Sequence, residues 1–291
     1  MSGAIDRRII FLLVLLALST PLIMKYSIKP ARMASADKFY AVIDKLQPRK
    51  GGVAFVALDF GPNTKAENLY QAQVTIEHLM RKRVPFAVFS LYVLAEPFLV
   101  SVPQEAANRL MAEFPGERWE YGKDWVNLGY FPGGFLTVQA IPKTNNLVEH
   151  FKKDARGNNL KDLPAFADAR TLKDILFLGE FTGLTGMFDN YVQFFTSADY
   201  KPPFGHGCTS ITIPEAYIYM DSGQLDGLLE GIAGAAWYSE RLTQAFPARA
   251  KDSAEMVNTG LGVAHLVIIF LVVIGNVLAF RSGRSQAGSR A

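Results

Sequence analysis

The stretch VAFVALDF at residues 53–60 decides the fold. It is almost continuously apolar and follows Gly51-Gly52, which is the pattern of a strand buried on both faces of a parallel sheet. Residues 64–83 then carry apolar side chains at helical spacing, and VPFAVFSLY at residues 84–92 repeats the strand pattern. A strand, a helix and a strand within about 40 residues predict a right-handed βαβ unit.

The same alternation continues along the chain. Further strands are predicted at residues 125–131, at residues 174–181 and within residues 207–220, and residues 153–168 are polar and read as a surface loop. Helices are predicted at residues 103–113, 136–153, 187–195 and 221–244. Five strands alternating with helices predict an α/β fold with an open, mostly parallel sheet in three layers. This architecture resembles Rossmann-like and flavodoxin-like extracytoplasmic domains.

Two helix starts carry the spacing of a capping box. Thr64 and Glu67 precede the first predicted helix, and Asp221 and Gln224 precede the last. In a capping box both side chains bond to the free amide groups of the first turn. The spacing therefore predicts that these residues begin helices.

An apolar run of 16 residues without charge occupies positions 9–24, after Arg7 and Arg8. This length is short for a hydrocarbon core of ~30 Å, so the run fits either a signal peptide or an uncleaved membrane anchor. The small residues Ala34-Ser35-Ala36 have the spacing of a cleavage site, but they lie beyond Pro30 and three basic residues. That separation favours an uncleaved anchor over cleavage.

A second apolar segment, residues 261–280, has no formal charge and is followed by Arg281 and Arg284. Its length predicts a transmembrane helix rather than a buried helix of a soluble domain. His265 and Asn276 are 11 positions apart and project from nearly the same helix face. They either face a partner helix, because lipid offers no hydrogen bonds, or lie close to the membrane interfaces.

The charges beside these segments predict the topology. Basic residues at both chain ends place residues 1–8 and 281–291 in the cytoplasm, although Lys25, Lys29 and Arg32 oppose this orientation. Residues 25–260 then form one extracytoplasmic domain. We therefore expect a protein of the prokaryotic inner (cytoplasmic) membrane, with most of the chain on the periplasmic side.

The charge and cysteine content exclude several classes of function. The formal net charge is +3, but the two tails hold five arginines and one aspartate, so the rest of the chain is nearly neutral. A neutral body has no nucleic-acid footprint. One cysteine and four histidines also exclude a disulfide framework and a Cys/His zinc cage. We expect no metal and no cofactor.

Polar side chains at the predicted carboxyl ends of the strands form a candidate ligand-binding site, because open α/β sheets bind ligands there. These residues are Asp59, Asn63, Ser90, Tyr92, Tyr130, Glu180, Thr182, Thr185 and Asp221. The alternative is that they cap helices and loops, as strand-end polar residues do in every such fold.

The sequence contains no complete catalytic motif. Asp59-Phe60-Gly61 lacks the other kinase motifs, and the loop from Thr182 to Gly186 lacks the GK[ST] ending of a P-loop. His206 and Cys208 lack the surroundings of a nucleophile elbow. The sequence therefore predicts a chain without catalytic activity.

Four aromatic side chains near the predicted last strand and helix are candidate protein contacts, since Tyr and Trp dominate interface anchors. They are Tyr217, Tyr219, Trp237 and Tyr238. With anchors at both ends, we expect an interaction or structural subunit of a larger membrane assembly, formed with other membrane proteins or as a homo-oligomer. The alternative is a membrane-anchored solute-binding or sensory domain that uses the strand-end crevice.

Overall fold

A computed structural model describes the backbone of residues 6–288 and the side chains of residues 6–280. Its contacts divide the chain into two units. One unit is Ala31–Lys251, and the other combines Met1–Pro30 with Asp252–Ala291. The first unit lies within the domain predicted at residues 25–260.

The larger unit is built on one sheet of six parallel strands. The strands are β1 Val53–Asp59, β2 Phe86–Ser90, β3 Trp125–Tyr130, β4 Ile175–Thr182, β5 Phe204–Cys208 and β6 Gly227–Glu230. Their order is β3-β2-β1-β4-β5-β6, which is the order of doubly wound Rossmann-type sheets. The prediction of an open, parallel α/β sheet is therefore confirmed, and the point at which the strand order reverses lies between β1 and β4.

Helices precede, connect and follow the strands. They are α1 Arg7–Ile23, α2 Ala34–Asp44, α3 Lys65–Arg81, α4 Glu96–Glu113, α5 Phe135–Ala140, α6 Leu147–Phe151, α7 Met187–Thr196, α8 Ile213–Asp221, α9 Gly231–Ala245 and α10 Ser253–Gly288. Side chains from α2, α3, α4 and α9 pack on one face of the sheet, and those from α5 to α8 pack on the other. The β1 strand alternates between these two cores, which explains its unbroken apolar sequence.

The region from residue 204 to residue 245 differs from its prediction. The fifth strand ends at Cys208, and Pro214 lies in the first turn of α8, where the missing N–H of proline costs nothing. Asp221 ends α8 instead of beginning a helix, and the leucines around residue 228 belong to a sixth strand. The prediction of five strands was wrong because β6 has only four residues, too few to show a strand period.

The other differences concern helix limits and caps. The helix predicted at residues 103–113 begins at Glu96 and contains Pro103, and α2 was not predicted. The helix predicted at residues 136–153 is divided into α5, a short 3₁₀ turn containing Pro142, and α6. The capping box predicted at Thr64 was wrong, because Glu67 instead accepts hydrogen bonds from Ser210.

The terminal unit is an antiparallel helix pair. The face of α10 around Gly260 lies against the backbone of α1 at Leu18, so closely that a Cβ at residue 260 would lie 2.9 Å from the Leu18 carbonyl oxygen. Beyond α1, Ser27 donates to Glu255 at 3.1 Å and the Ile28 amide donates to Thr259 Oγ1 at 2.9 Å. Small residues at a helix contact permit this approach.

Among the described residues, one helix is long and apolar enough to cross a membrane, namely the part of α10 from Ser253 to Phe280. It is compatible with the predicted membrane anchor. The N-terminal apolar run is helical, but α1 has only 17 residues, so its membrane span stays a prediction. His265 and Asn276 are exposed, and His265 Nδ1 lies 2.7 Å from the carbonyl oxygen of Leu261 in its own helix.

Candidate functional site

The switch point of the sheet brings together polar residues from strands that are far apart in sequence. Asp59 ends β1 and is paired with Thr182 at the end of β4, whose hydroxyl donates to the carbonyl oxygen of Asp59 at 2.8 Å. Glu180 lies two residues before Thr182 in β4 and is paired with His206 of β5. The structure thus places Asp59, Glu180 and Thr182 together at the carboxyl ends of β1 and β4.

Asp59 is completely buried, and both of its carboxyl oxygens accept hydrogen bonds. Its Oδ1 accepts hydrogen bonds from Ser90 Oγ at 2.8 Å and from the Leu91 amide at 2.6 Å, and its Oδ2 accepts one from the Tyr191 hydroxyl at 2.7 Å. Burial raises the pKa of Asp59, and the three donors partly offset this increase. The carboxylate therefore joins β1 to the end of β2 and to α7.

Glu180 and His206 form a second buried contact beside it. His206 Nδ1 lies 2.6 Å from Glu180 Oε2 and 3.1 Å from the carbonyl oxygen of Glu180. The direction of the His206 ring N–H fits a hydrogen bond to the backbone carbonyl of Glu180 and not to its carboxyl group. The two carboxyl oxygens of Glu180 therefore have no hydrogen-bond partner among the described residues. Burial, together with the charges of Asp59 and Asp189, raises the pKa of Glu180 well above its usual value. Burial lowers the pKa of His206 to about 3, so its imidazole is neutral at pH 7.

The space around these groups is almost entirely filled by the chain itself. A cavity of about 10 Å³ beside Thr182, Phe188 and His206 has room for about one water molecule. At the switch point Gly183 lies so close to Thr64 and Thr209 that a Cβ there would collide with both threonine methyl groups. Asp59 and Glu180 thus lie completely buried beneath these loops.

The remaining predicted ligand residues are not gathered around this cluster. Asn63 and Thr185 are exposed in the loops above it, and Tyr130 is half-buried at the end of β3. Ser90 bonds to Asp59, as described above. Asp221 ends α8, and the chain then enters β6, so Asp221 lies on the side where the strands begin.

The four predicted contact aromatics divide between two helices on opposite faces of the sheet. On α8, the Tyr217 hydroxyl donates to Glu230 at 2.7 Å and the Tyr219 hydroxyl donates to Asp189 at 2.8 Å. On α9, the ring N–H of Trp237 donates to Asp37 at 2.9 Å, and Tyr238 is completely buried beside His78. Each side chain has an intramolecular partner, and they do not form one cluster.

Sequence reasoning missed a larger feature at the same edge of the sheet. Five loops follow β1 to β5, and we call them the carboxyl-edge loops: residues 60–64, 91–95, 131–136, 183–188 and 209–214. None of them contains Asp, Glu, Lys or Arg. Their exposed large apolar side chains are Val93, Leu94, Phe135, Leu136 and Ile211, the last of which is 89% exposed. The signal was present in the sequence as loops rich in Gly, Thr and Pro that lack the usual charges.

The opposite edge, where the strands begin, has the reverse character. Ion pairs across it are Arg49–Asp174 at 3.6 Å, Lys50–Asp168 at 3.6 Å, Arg83–Asp124 at 3.7 Å and Lys201–Asp226 at 3.1 Å. Charges of both signs therefore cover the edge where the strands begin. At the carboxyl edge the five loops carry no charge, and the charged residues beside them lie at the helix starts and at the end of β6: Lys65, Glu67, Glu96, Glu215 and Glu230. A solvent-exposed surface of a soluble domain ordinarily mixes charges throughout.

No family model, curated protein or solved structure matches this chain.

The buried histidine gives a prediction for the pH dependence of stability. The pKa of His206 is about 3 in the folded chain and 6.5 in the unfolded chain, so its stabilising contribution is complete above pH 6.5 and is lost as the pH falls. Between pH 7 and pH 5 this loss amounts to about 2 kcal/mol. The raised pKa of Glu180 acts in the opposite direction, because its contribution is lost as the pH rises above 4.5.

When the pH is lowered from 7 to 5, we expect the free energy of unfolding of His206→Gln to fall by about 2 kcal/mol less than that of the wild type, since glutamine does not titrate. Urea unfolding at both pH values measures this difference. His150→Gln is the control, because His150 is exposed and burial lowers its pKa by less than that of His206, so its pH response should lie closer to that of the wild type. Equal losses in the wild type and His206→Gln would show that His206 is accessible to protons in the folded chain.

Proposed function

We propose that this chain is a non-catalytic interaction subunit of a larger membrane assembly, to which it presents its α/β domain. The observation that carries the proposal is the surface of the carboxyl-edge loops, which is uncharged and exposes large apolar side chains. The core of a protein interface is depleted in charged residues in the same way. Exposed apolar patches on soluble domains commonly mark such contacts.

The closed switch point supports the same proposal. In an open α/β sheet, a ligand would bind in the crevice between the ends of β1 and β4. Here the loop at Gly183 occupies that position, and Asp59 holds β1, β2 and α7 together through three hydrogen bonds. The polar residues predicted to bind a solute are used for folding, and this leaves the loops above them as the functional surface.

The terminal helix pair supports a membrane location for this subunit. In our proposal α10 crosses the inner membrane of a prokaryote and α1 is an uncleaved second span beside it. The antiparallel packing of α1 and α10 agrees with both termini lying in the cytoplasm and the domain lying outside it. The exposed His265 and Asn276 would then face helices of partner subunits in the lipid.

A solute-binding role is the second candidate, and a specific groove favours it. A polar cavity of about 520 Å³ lies beside Gln139, Lys143, Asn145 and Asp199, within the usual size of small-molecule sites. It is separate from the crevice at the switch point. Variants of the carboxyl-edge loops would leave binding in this groove unchanged.

Co-purification from membranes tests the first proposal. The full chain, extracted in mild detergent, is expected to migrate with partner protein, and Leu94→Glu combined with Ile211→Glu is expected to abolish this association. Two glutamates in the core of an interface would be desolvated without a countercharge. The matched control is Ala112→Glu with Ala248→Glu, which adds the same charge at exposed positions elsewhere in the domain. Association that survives the edge variant would contradict the proposal.

A further inference from the structure

We propose that the groove between α1 and α10 binds one acyl chain of an anionic phospholipid, whose phosphate lies beside Lys25. The groove has a volume of about 670 Å³, within the usual size range of small-molecule sites. This inference rests on the membrane location given in the proposed function, and it names a ligand for the terminal helix pair.

One stripe of each helix lines the groove. Along α1 the lining residues recur at helical spacing from Leu13 to Met24, the residue that caps the helix. On α10 they are Thr259, Val263 and Val267, at every fourth position. Residues at these spacings share one face of a helix, so the groove is a continuous channel between two helix faces.

The wall of the groove is apolar in its chemistry. Thr20 Oγ1 donates to the carbonyl oxygen of Leu16 at 2.6 Å, and Thr259 Oγ1 donates to that of Glu255 at 2.8 Å. Both hydroxyl protons are therefore used within the helices, and apart from Tyr26 the other lining side chains are apolar. A polar solute would lose hydrogen bonds to water in this groove without replacing them, whereas a hydrocarbon chain would not.

The depth of the groove favours a lipid over a partner helix. From Leu13 to Met24 the chain rises about 16 Å, and from Thr259 to Val267 it rises about 12 Å. The hydrocarbon core of a bilayer is ~30 Å thick, so the groove extends through about one leaflet. A transmembrane helix packs along the whole core, but an acyl chain occupies one leaflet.

A basic side chain lies at the mouth of the groove. Lys25 stands between Met24 and Tyr26, which both line the groove, and it is exposed and forms no ion pair with the described residues. Tyrosine is common at membrane interfaces, and basic sites between transmembrane helices bind anionic headgroups. Lys25 and Lys29 oppose the positive-inside rule, and a headgroup on this side of the membrane gives them a role.

The acidic residues at this end of the helix pair are already engaged. Asp252 and Glu255 precede the first groove residue of α10 by seven and four positions. Glu255 is buried and accepts a hydrogen bond from Ser27, and Asp252 accepts one from the Ala254 amide at 3.0 Å. The charge directly at the mouth is therefore that of Lys25, which is complementary to a phosphate.

Native mass spectrometry of the full chain, released from mild detergent, tests the site. The probes are phosphatidylglycerol and phosphatidylcholine with identical acyl chains. We expect one phosphatidylglycerol to be retained about fivefold more strongly than phosphatidylcholine, the effect of about 1 kcal/mol for one basic residue beside an anionic group. Lys25→Gln should remove this preference, whereas Lys161→Gln, an exposed lysine of the α/β domain, should keep it.

Filling the groove tests the position of the acyl chain. Val263→Phe combined with Val267→Phe places two larger side chains in the groove, and we expect it to lower the retention of both lipids at least about tenfold. The matched control is Val272→Phe with Val273→Phe, because both valines are exposed on the same helix and neither lines the groove. This control should retain lipid as the wild type does.

The outcomes separate this inference from the proposed function. Equal retention of phosphatidylglycerol by the wild type and the groove-filling variant would overturn the lipid site, and so would equal retention of both lipids by the wild type. Loss of a partner protein instead of lipid from the groove-filling variant would also overturn it, because a helix would then occupy the groove. Association that survives Leu94→Glu with Ile211→Glu contradicts the proposed function and leaves the lipid site standing.

Discussion

Asp59→Ala is expected to lower the free energy of unfolding by about 3 kcal/mol or more, because each buried donor left without an acceptor costs roughly 1–3 kcal/mol. The substitution removes the acceptor of three donors: the Ser90 hydroxyl, the Leu91 amide and the Tyr191 hydroxyl. All three bonds lie in the core at the switch point. Urea unfolding of the full chain in mild detergent, followed by tryptophan fluorescence, measures the loss.

Asp59→Asn is the matched control for this experiment. Its amide oxygen can still accept from Ser90 and Leu91, which both bond to Oδ1 of the aspartate, and its NH₂ group can donate to the Tyr191 hydroxyl. We expect a cost of about 1 kcal/mol for this change. A carboxylate kept for binding or catalysis behaves differently, since its removal commonly leaves stability unchanged or raises it. An Asp59→Ala variant as stable as the wild type would therefore contradict the structural role.

Glu77→Gln is expected to cost about 3–5 kcal/mol, because it removes the carboxylate that pairs with the buried Arg249, whereas Arg81 keeps its second partner Glu113. Glu77 is 3% exposed and accepts hydrogen bonds from Arg249 at 2.6 and 2.8 Å and from Arg81 at 2.9 Å. Burial alone would raise the pKa of Glu77, but the hydrogen bond and charge of Arg249, with the charges of Arg81 and Arg109, hold it below its usual value. Thermal unfolding at pH 7 measures the effect.

An exposed ion pair provides the comparison for Glu77. Glu117 pairs with Arg83, and both side chains are more than a third exposed, so Glu117→Gln should cost less than about 1 kcal/mol. The two variants also differ in acid. Because the pKa of Glu77 is lowered, its contribution is present at neutral pH and is lost as the pH falls, so the gap between wild type and Glu77→Gln should narrow in acid. A constant gap would show that the charge of Glu77 is not what stabilises the fold.

The sheet could be predicted because its central strands are buried on both faces. The apolar runs that contain Phe55, Phe89 and Leu178 each have the length of a strand. Segments with helical spacing of apolar residues separate them. The last third of the domain was harder to predict. Its strands β5 and β6 are short and contain Gly205, Gly207 and Gly227, which leave room for aromatic side chains such as Phe39 and weaken the apolar signal.

The sequence placed Asp59 and Glu180 at the carboxyl ends of strands. It did not show that these two strands are neighbours, which only the sheet order reveals. It did not show that Tyr191, 132 residues after Asp59, would cover the aspartate, because that contact depends on how α7 packs on the sheet. The carboxyl-edge loops could not be recognised as one surface from the sequence either. They are scattered from residue 60 to residue 214, and only the parallel topology places them side by side.

The pairing of β1 with β4 has a consequence for the order of events during synthesis. Asp59 and Thr182 are adjacent in the sheet but 123 residues apart in the chain. At about 5–20 residues per second, the ribosome needs roughly 6–25 s to make the intervening segment. During that time β1 can pair with β2 while its other edge has no strand beside it. An unpaired apolar edge invites pairing with other chains, so the nascent domain passes through an aggregation-prone interval in which a chaperone would act.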